Sequence, residues 1–124
     1  MKFANALLAA AVLIAAPALA DDIPQLTGTW KGPYEGASVE HGFLTGDYTL
    51  VVAEQKGRAF RGEITYTEDG KASSEAVAGA IDGDRIVFAG DDGVNVARYA
   101  DGVIHHCWAA GEQGMAVCAD LRRQ

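Results

Sequence analysis

The chain is punctuated by Asp-Gly pairs, at Asp69-Gly70, Asp82-Gly83, Asp92-Gly93 and Asp101-Gly102. Asp-Gly readily adopts the positive φ angles that two-residue hairpin turns demand. Lys56-Gly57 and the stretch Gly111-Glu112-Gln113-Gly114 act in the same way. Between these marks lie short runs of β-branched and aromatic residues, and almost no helical pattern. The spacing predicts eight strands, over residues 28–37, 47–55, 59–67, 74–81, 85–90, 94–100, 103–110 and 114–122. The longest loop on this reading runs from Ser38 to Gly46.

Tight turns make sequential antiparallel neighbours, hence a meander. A meander leaves two open edges unless it closes on itself, and eight strands close well. The expected fold class is therefore all-β, an eight-stranded antiparallel up-and-down barrel. A flat or sandwiched meander is the alternative.

Ahead of the first strand, residues 1–20 read as a signal peptide. Lys2 precedes an apolar run from Ala6 to Ala16, Pro17 breaks the run, and Ala18-Leu19-Ala20 supplies small residues for cleavage. The run is too short to span a bilayer, which takes ~20 apolar residues. The expectation is a periplasmic or secreted protein, with a single barrel domain over residues 21–124. Lys2 is the only charged residue before Asp21, so nine Lys and Arg then face seventeen Asp and Glu. The acids are dispersed. Such a surface favours solubility and disfavours nucleic acid or an anionic membrane as partner.

Cys107 and Cys118 are the only cysteines. An even count in a small exported domain reads as a disulfide. A hairpin turn centred between Glu112 and Gln113 sets Cys107 opposite Cys118, as a cross-strand bridge requires. The same register pairs Trp108 with Val117, His106 with Ala119, Ile104 with Leu121 and His105 with Asp120. One face then carries Ile104, His106, Trp108, Val117, Ala119 and Leu121 and points inward. The other carries His105, the disulfide, Asp120 and Arg122 and points outward. Alternation along the other strands adds Trp30 and Tyr34, Tyr48, Leu50 and Val52, Phe60, Ile64 and Tyr66, and Ile86 and Phe88 to the interior. It also offers Val94 and Val96 from the sixth strand.

The run Leu26-Thr27-Gly28-Thr29-Trp30 resembles the G-x-W opening of the calycin barrels, the lipocalins and avidins. The resemblance implies a barrel with a closed end, where a basic residue of the last strand packs over that Trp by cation–π contact. Arg122 or Arg123 would take that role. It does not extend to biotin, since only Trp30 and Trp108 are present, nor to the lipocalins' terminal helix. The pattern beyond the leader is also similar to that of short exported bacterial proteins.

The candidate binding residues are His106, Trp108, Trp30, Tyr34, Tyr48 and Tyr66. They would form an aromatic-walled interior with one polar anchor. His106 has a second reading, as a core histidine satisfied by a tyrosine hydroxyl or a backbone carbonyl. His105 opposite Asp120 is an acid–base pair in outline, but no Ser, Cys or Lys stands ready as nucleophile, and it reads as a surface ion pair. The acidic turns lack the spacing of a calcium loop, and His41 beside Glu40 lacks metal-ligand spacing. No phosphate loop, H-E-x-x-H or G-x-S-x-G is present. No cofactor, metal or catalysis is expected. The expected function is binding of a small, partly apolar ligand inside the barrel. The alternative is an interaction protein, such as an inhibitor of a basic lysozyme-like enzyme, that works through its loops and acidic surface.

Overall fold

A computed structural model describes residues 10–12 and 22–124. The expected signal peptide lies almost wholly outside the described residues. The rest is a closed barrel of eight antiparallel strands in sequential order. They are β1 (Gly28–Ser38), β2 (Gly42–Lys56), β3 (Ala59–Glu68), β4 (Lys71–Asp82), β5 (Arg85–Ala89), β6 (Val94–Ala100), β7 (Val103–Ala110) and β8 (Met115–Arg123). β1 pairs with β8 as well as with β2, so no edge remains unpaired.

The turns follow the local chemistry. Asp69 and Asp101 take φ of 50° and 52°, each followed by a positive-φ glycine, as the hairpin types favoured by Asp-Gly require. The Asp82-Gly83 turn is shifted by one residue. Asp82 stays in β4 opposite Arg85, leaving Gly83-Asp84 as the two-residue loop. Asp82 is held there by its ion pairs to Arg58 and Arg85, at 3.2 and 2.7 Å.

The loop expected over residues 38–46 is mostly strand. β2 begins at Gly42, and Gly42 to Gly46 pair with Ser38 to Tyr34. The turn is only Val39-Glu40-His41. Gly46 is the last residue of the expected loop. It is instead a strand residue over which the Tyr34 ring lies, and a Cβ built there would sit 2.5 Å from that ring. β4 likewise starts at Lys71, because the two-residue Asp69-Gly70 turn lets pairing begin at once.

The interior holds Leu26, Trp30, Leu50, Ile64, Ile81, Ile86, Phe88, Ile104 and Leu121, all at 2% exposure or less. The expected faces hold for β1, β2, β3, β5, β7 and β8. For β6 they are reversed. Val94 and Val96 are 55% and 51% exposed, while Asn95 is fully buried. The reason is register. The Asp101-Gly102 turn pairs Ala100 with Val103, which puts Asn95 opposite Trp108 and Ala97 opposite His106. Residues paired across a ladder share a face, so Asn95 goes inward with His106.

The two ends of the barrel differ. At one end lie the β2–β3, β4–β5 and β6–β7 turns together with the segment Pro24–Thr27 that leads into β1. A β-bulge between Val52 and Glu54 shifts the register of β2 by one residue, and bulges re-aim side chains in this way. Gln55 is thereby turned onto the inner face, opposite Phe60. It accepts from Leu26 N at 2.7 Å and donates to Pro24 O at 2.9 Å. Leu26, 0% exposed, plugs this end. Trp30 Nε1 donates to Leu26 O, and the Arg123 guanidinium lies 4.4 Å from the Trp30 ring centroid while donating to Gln25 O and Thr27 O.

Candidate functional site

The opposite end carries the β1–β2, β3–β4, β5–β6 and β7–β8 turns and stays open. A cavity of about 70 Å³ lies inside this mouth. Its walls include Tyr34, Tyr48, Tyr66 and Trp108, four of the six expected binding residues, with Leu44, Ile64, Met115 and Val117. Strand alternation delivers each of these inward, and two glycines make room for the rings. Gly46 admits Tyr34. A Cβ on Gly93, which has φ of 68°, would sit within 2.6 Å of the Trp108 ring. Tyr34 donates its hydroxyl to Thr67 O at 2.6 Å, and Trp108 Nε1 to Asp92 O at 3.3 Å, so both rings are held in place at the rim.

Trp30 and His106 do not reach this cavity. Trp30 belongs to the plugged end, as described. His106 is packed beneath the cavity floor, 1% exposed, stacked on Phe88 at 5.2 Å and tilted against Tyr48 at 4.5 Å between ring centroids. Its partner is neither of those expected. His106 Nε2 donates to Asn95 Oδ1 at 2.8 Å, and the Tyr48 hydroxyl donates to the same oxygen at 3.3 Å. Asn95 Nδ2 and His106 Nδ1 have no partner among the described residues. Burial pushes the His106 pKa down to about 4, so the ring is neutral at physiological pH. Tyr48 thus joins the buried polar set to the cavity above it.

The polar part of the mouth was not anticipated. Glu68, Glu75, Asp92 and Gln113 also line the cavity. Asp92 accepts from Gln113 Nε2 at 2.6 Å, and Glu75 accepts from the backbone N–H of Asp91 at 3.3 Å. Burial pushes the Glu75 carboxyl up, and the negative charge of Asp92 raises it further. Tyr34 is pushed up by burial and then by Glu68 and Asp69. Glu75 sits opposite Ile64 on an inward register position, which its place on β4 signals. Glu68 shares the inward parity of Ile64 and Tyr66 but lies one residue beyond the expected end of β3, and Asp92 belongs to a turn, where alternation says nothing.

On the outer wall the last hairpin has the expected register throughout. Cys107 and Cys118 are bridged, with their Cα atoms 4.1 Å apart. His105 Nδ1 lies 2.7 Å from Asp120 Oδ1 on the same wall, remote from the cavity. His41 sits in the β1–β2 turn, 3.9 Å from Glu40, and its N–H is accepted by Ser38 Oγ. Among the described residues no three His, Cys, Asp or Glu side chains come together as metal ligands would. A comparison with protein-family models finds no match to this chain, and neither does a comparison with the curated proteins.

Proposed function

We propose that this barrel binds a small, partly apolar molecule in the cavity at its open end, in the periplasmic or extracellular space where its disulfide persists. The observation that carries this is the placement of Tyr34, Tyr48, Tyr66 and Trp108 around one cavity, above a packed cluster that includes Trp30, Leu50, Phe60, Ile86 and Phe88. Pockets that are largely apolar with a few placed polar groups are the usual form of small-molecule sites. Trp108 and Tyr66 are half-buried, so a ligand entering the mouth would cover their remaining apolar surface. Native mass spectrometry of the protein purified from its host tests the reading. Retained mass is expected, and it should vanish in Val117→Phe, which fills the cavity from β8, while the circular dichroism of the barrel is unchanged. A host-purified protein that is consistently empty, or a retained mass indifferent to Val117→Phe, counts against it.

A second reading rests on the β1–β2 turn. Val39 in that turn and Phe43 just inside β2 are 90% and 95% exposed, beside Glu40. An apolar tip on an acidic end suits docking to a basic protein, with charge steering the encounter. Salt-sensitive capture of a basic exported protein, weakened by Phe43→Ser, is the expected outcome. Capture that is unaffected by salt and by Phe43→Ser would remove this reading.

A further inference from the structure

The basic residues of this barrel are sorted by end. The four turns at the open end contain Glu40, Asp69, Asp91, Asp92 and Glu112 and no Lys or Arg. Of the Lys and Arg from Lys31 onward, Lys71 alone lies at that end. Lys56, Arg58, Arg85, Arg122 and Arg123 gather at the plugged end. The same asymmetry continues into the cavity, where Glu68, Glu75 and Asp92 stand among the aromatic rings and no basic side chain lines the wall.

We infer that the ligand of this cavity carries a positive charge, as a small organic ammonium whose apolar stem lies against Tyr34, Tyr66 and Trp108 and whose head faces Glu68, Glu75 and Asp92. This inference rests on the proposed binding function and specifies the chemistry of the same cavity. Two independent features support it. Aromatic faces attract a cation through the ring quadrupole, and Trp and Tyr do so well. Glu68 and Glu75, half-buried next to those faces, attract the same cation more strongly than carboxylates in bulk water, and Asp92 adds its charge at the exposed rim. Burial raises the Glu75 carboxyl and the neighbouring charge of Asp92 raises it further, and a cation bound beside the pair would offset that repulsion. Glu75 and Asp92 are close neighbours, but among the described residues no third ligand joins them as a metal site would require, which fits an organic cation better than a metal ion.

The test uses three probes with one carbon skeleton, butylammonium, 1-butanol and butanoate, titrated into the intact barrel at low ionic strength. The Trp108 indole N–H is followed by NMR. Saturable shifts are expected with butylammonium, at a dissociation constant at least about tenfold below that of 1-butanol, with none from butanoate. Glu75→Gln and Asp92→Asn should each narrow the preference. Asp84→Asn, which removes one negative charge from a turn at the plugged end, should leave it unchanged. Equal binding of butylammonium and 1-butanol would overturn the charge inference and leave the binding function standing. No shift with any probe would overturn both. A preference that falls as much in Asp84→Asn as in Glu75→Gln would trace it to net charge and overturn the site.

Discussion

His106 shows how much a single buried side chain depends on what faces it. Its ring is sealed between Phe88 and Tyr48, and its one hydrogen bond goes to Asn95. Burial holds its pKa at about 4, against an unfolded value near 6.5. The unfolded chain therefore binds the proton more readily than the folded barrel does. Above pH ~6.5 the ring is neutral in both states and costs nothing. As pH falls from there towards 4, its contribution drops by at most about 3 kcal/mol. His106→Gln should flatten the pH dependence of stability across that window, measured by urea unfolding at several pH values. An identical profile in the variant would show that other groups set the acid sensitivity. At the other end, Arg123 combines two backbone hydrogen bonds with its stacking over Trp30. Arg123→Ala is expected to cost about 1–2 kcal/mol, with Arg123→Lys recovering only part, because an ammonium cannot make the same planar fork. Equal stability of Arg123→Lys and the wild type would argue against that geometry.

The elements were legible wherever two neighbouring strands shared a short turn of recognisable chemistry. The β7–β8 register followed from the two cysteines and the centre of their turn, and every pair of that hairpin is as expected. The disulfide closes a loop across eleven residues. Replacing both cysteines by serine should lower stability by ~2–3 kcal/mol, seen as a lower urea midpoint with the fold retained. An unchanged midpoint would mean that the hairpin is already held by its neighbours. β6 was misjudged because its two valines satisfy a strand pattern on either face, and only pairing across the Asp101-Gly102 turn to His106 and Trp108 decides between them. That turn was visible. The register it imposes points to Asn95 as firmly as the cysteine hairpin points to His106. The start of β2 was missed for a different reason. The loop expected over residues 38–46 ended on Gly46, and only the Tyr34 ring, lying where a side chain there would need space, shows why a glycine sits inside the strand.

At the scale of the whole barrel, pairing is uneven. β1 and β2 register over eleven residue pairs, whereas β5 and β6 register over four. Local opening follows the regions with least pairing and burial. Amide hydrogen exchange should therefore be fastest among the strands along β5–β6 and slowest along β1–β2–β3. Uniform protection around the barrel would show that closure makes it open only as a unit. The two ends are also unequal, since the Leu26 plug and the Gln55 bulge seal one of them. That asymmetry leaves a single mouth among the described residues, and the acidic turns surround it.

Local sequence determined the strand count, most of the turns, the disulfide and the inward placement of Tyr34, Tyr48, Tyr66 and Trp108. Each depends on interactions a few residues apart, or on the period-two alternation of a strand. The tertiary structure alone decided which inward residues meet. Trp30 and Trp108 both face the interior, yet lie at opposite ends because the odd and even turns fall at opposite ends of a meander. Glu68, Glu75 and Asp92 come from β3, β4 and the turn after β5, and share one mouth only once β1 has paired with β8. Closure is a long-range event. It converts eight locally readable strands into one cavity whose polar lining no single strand contains.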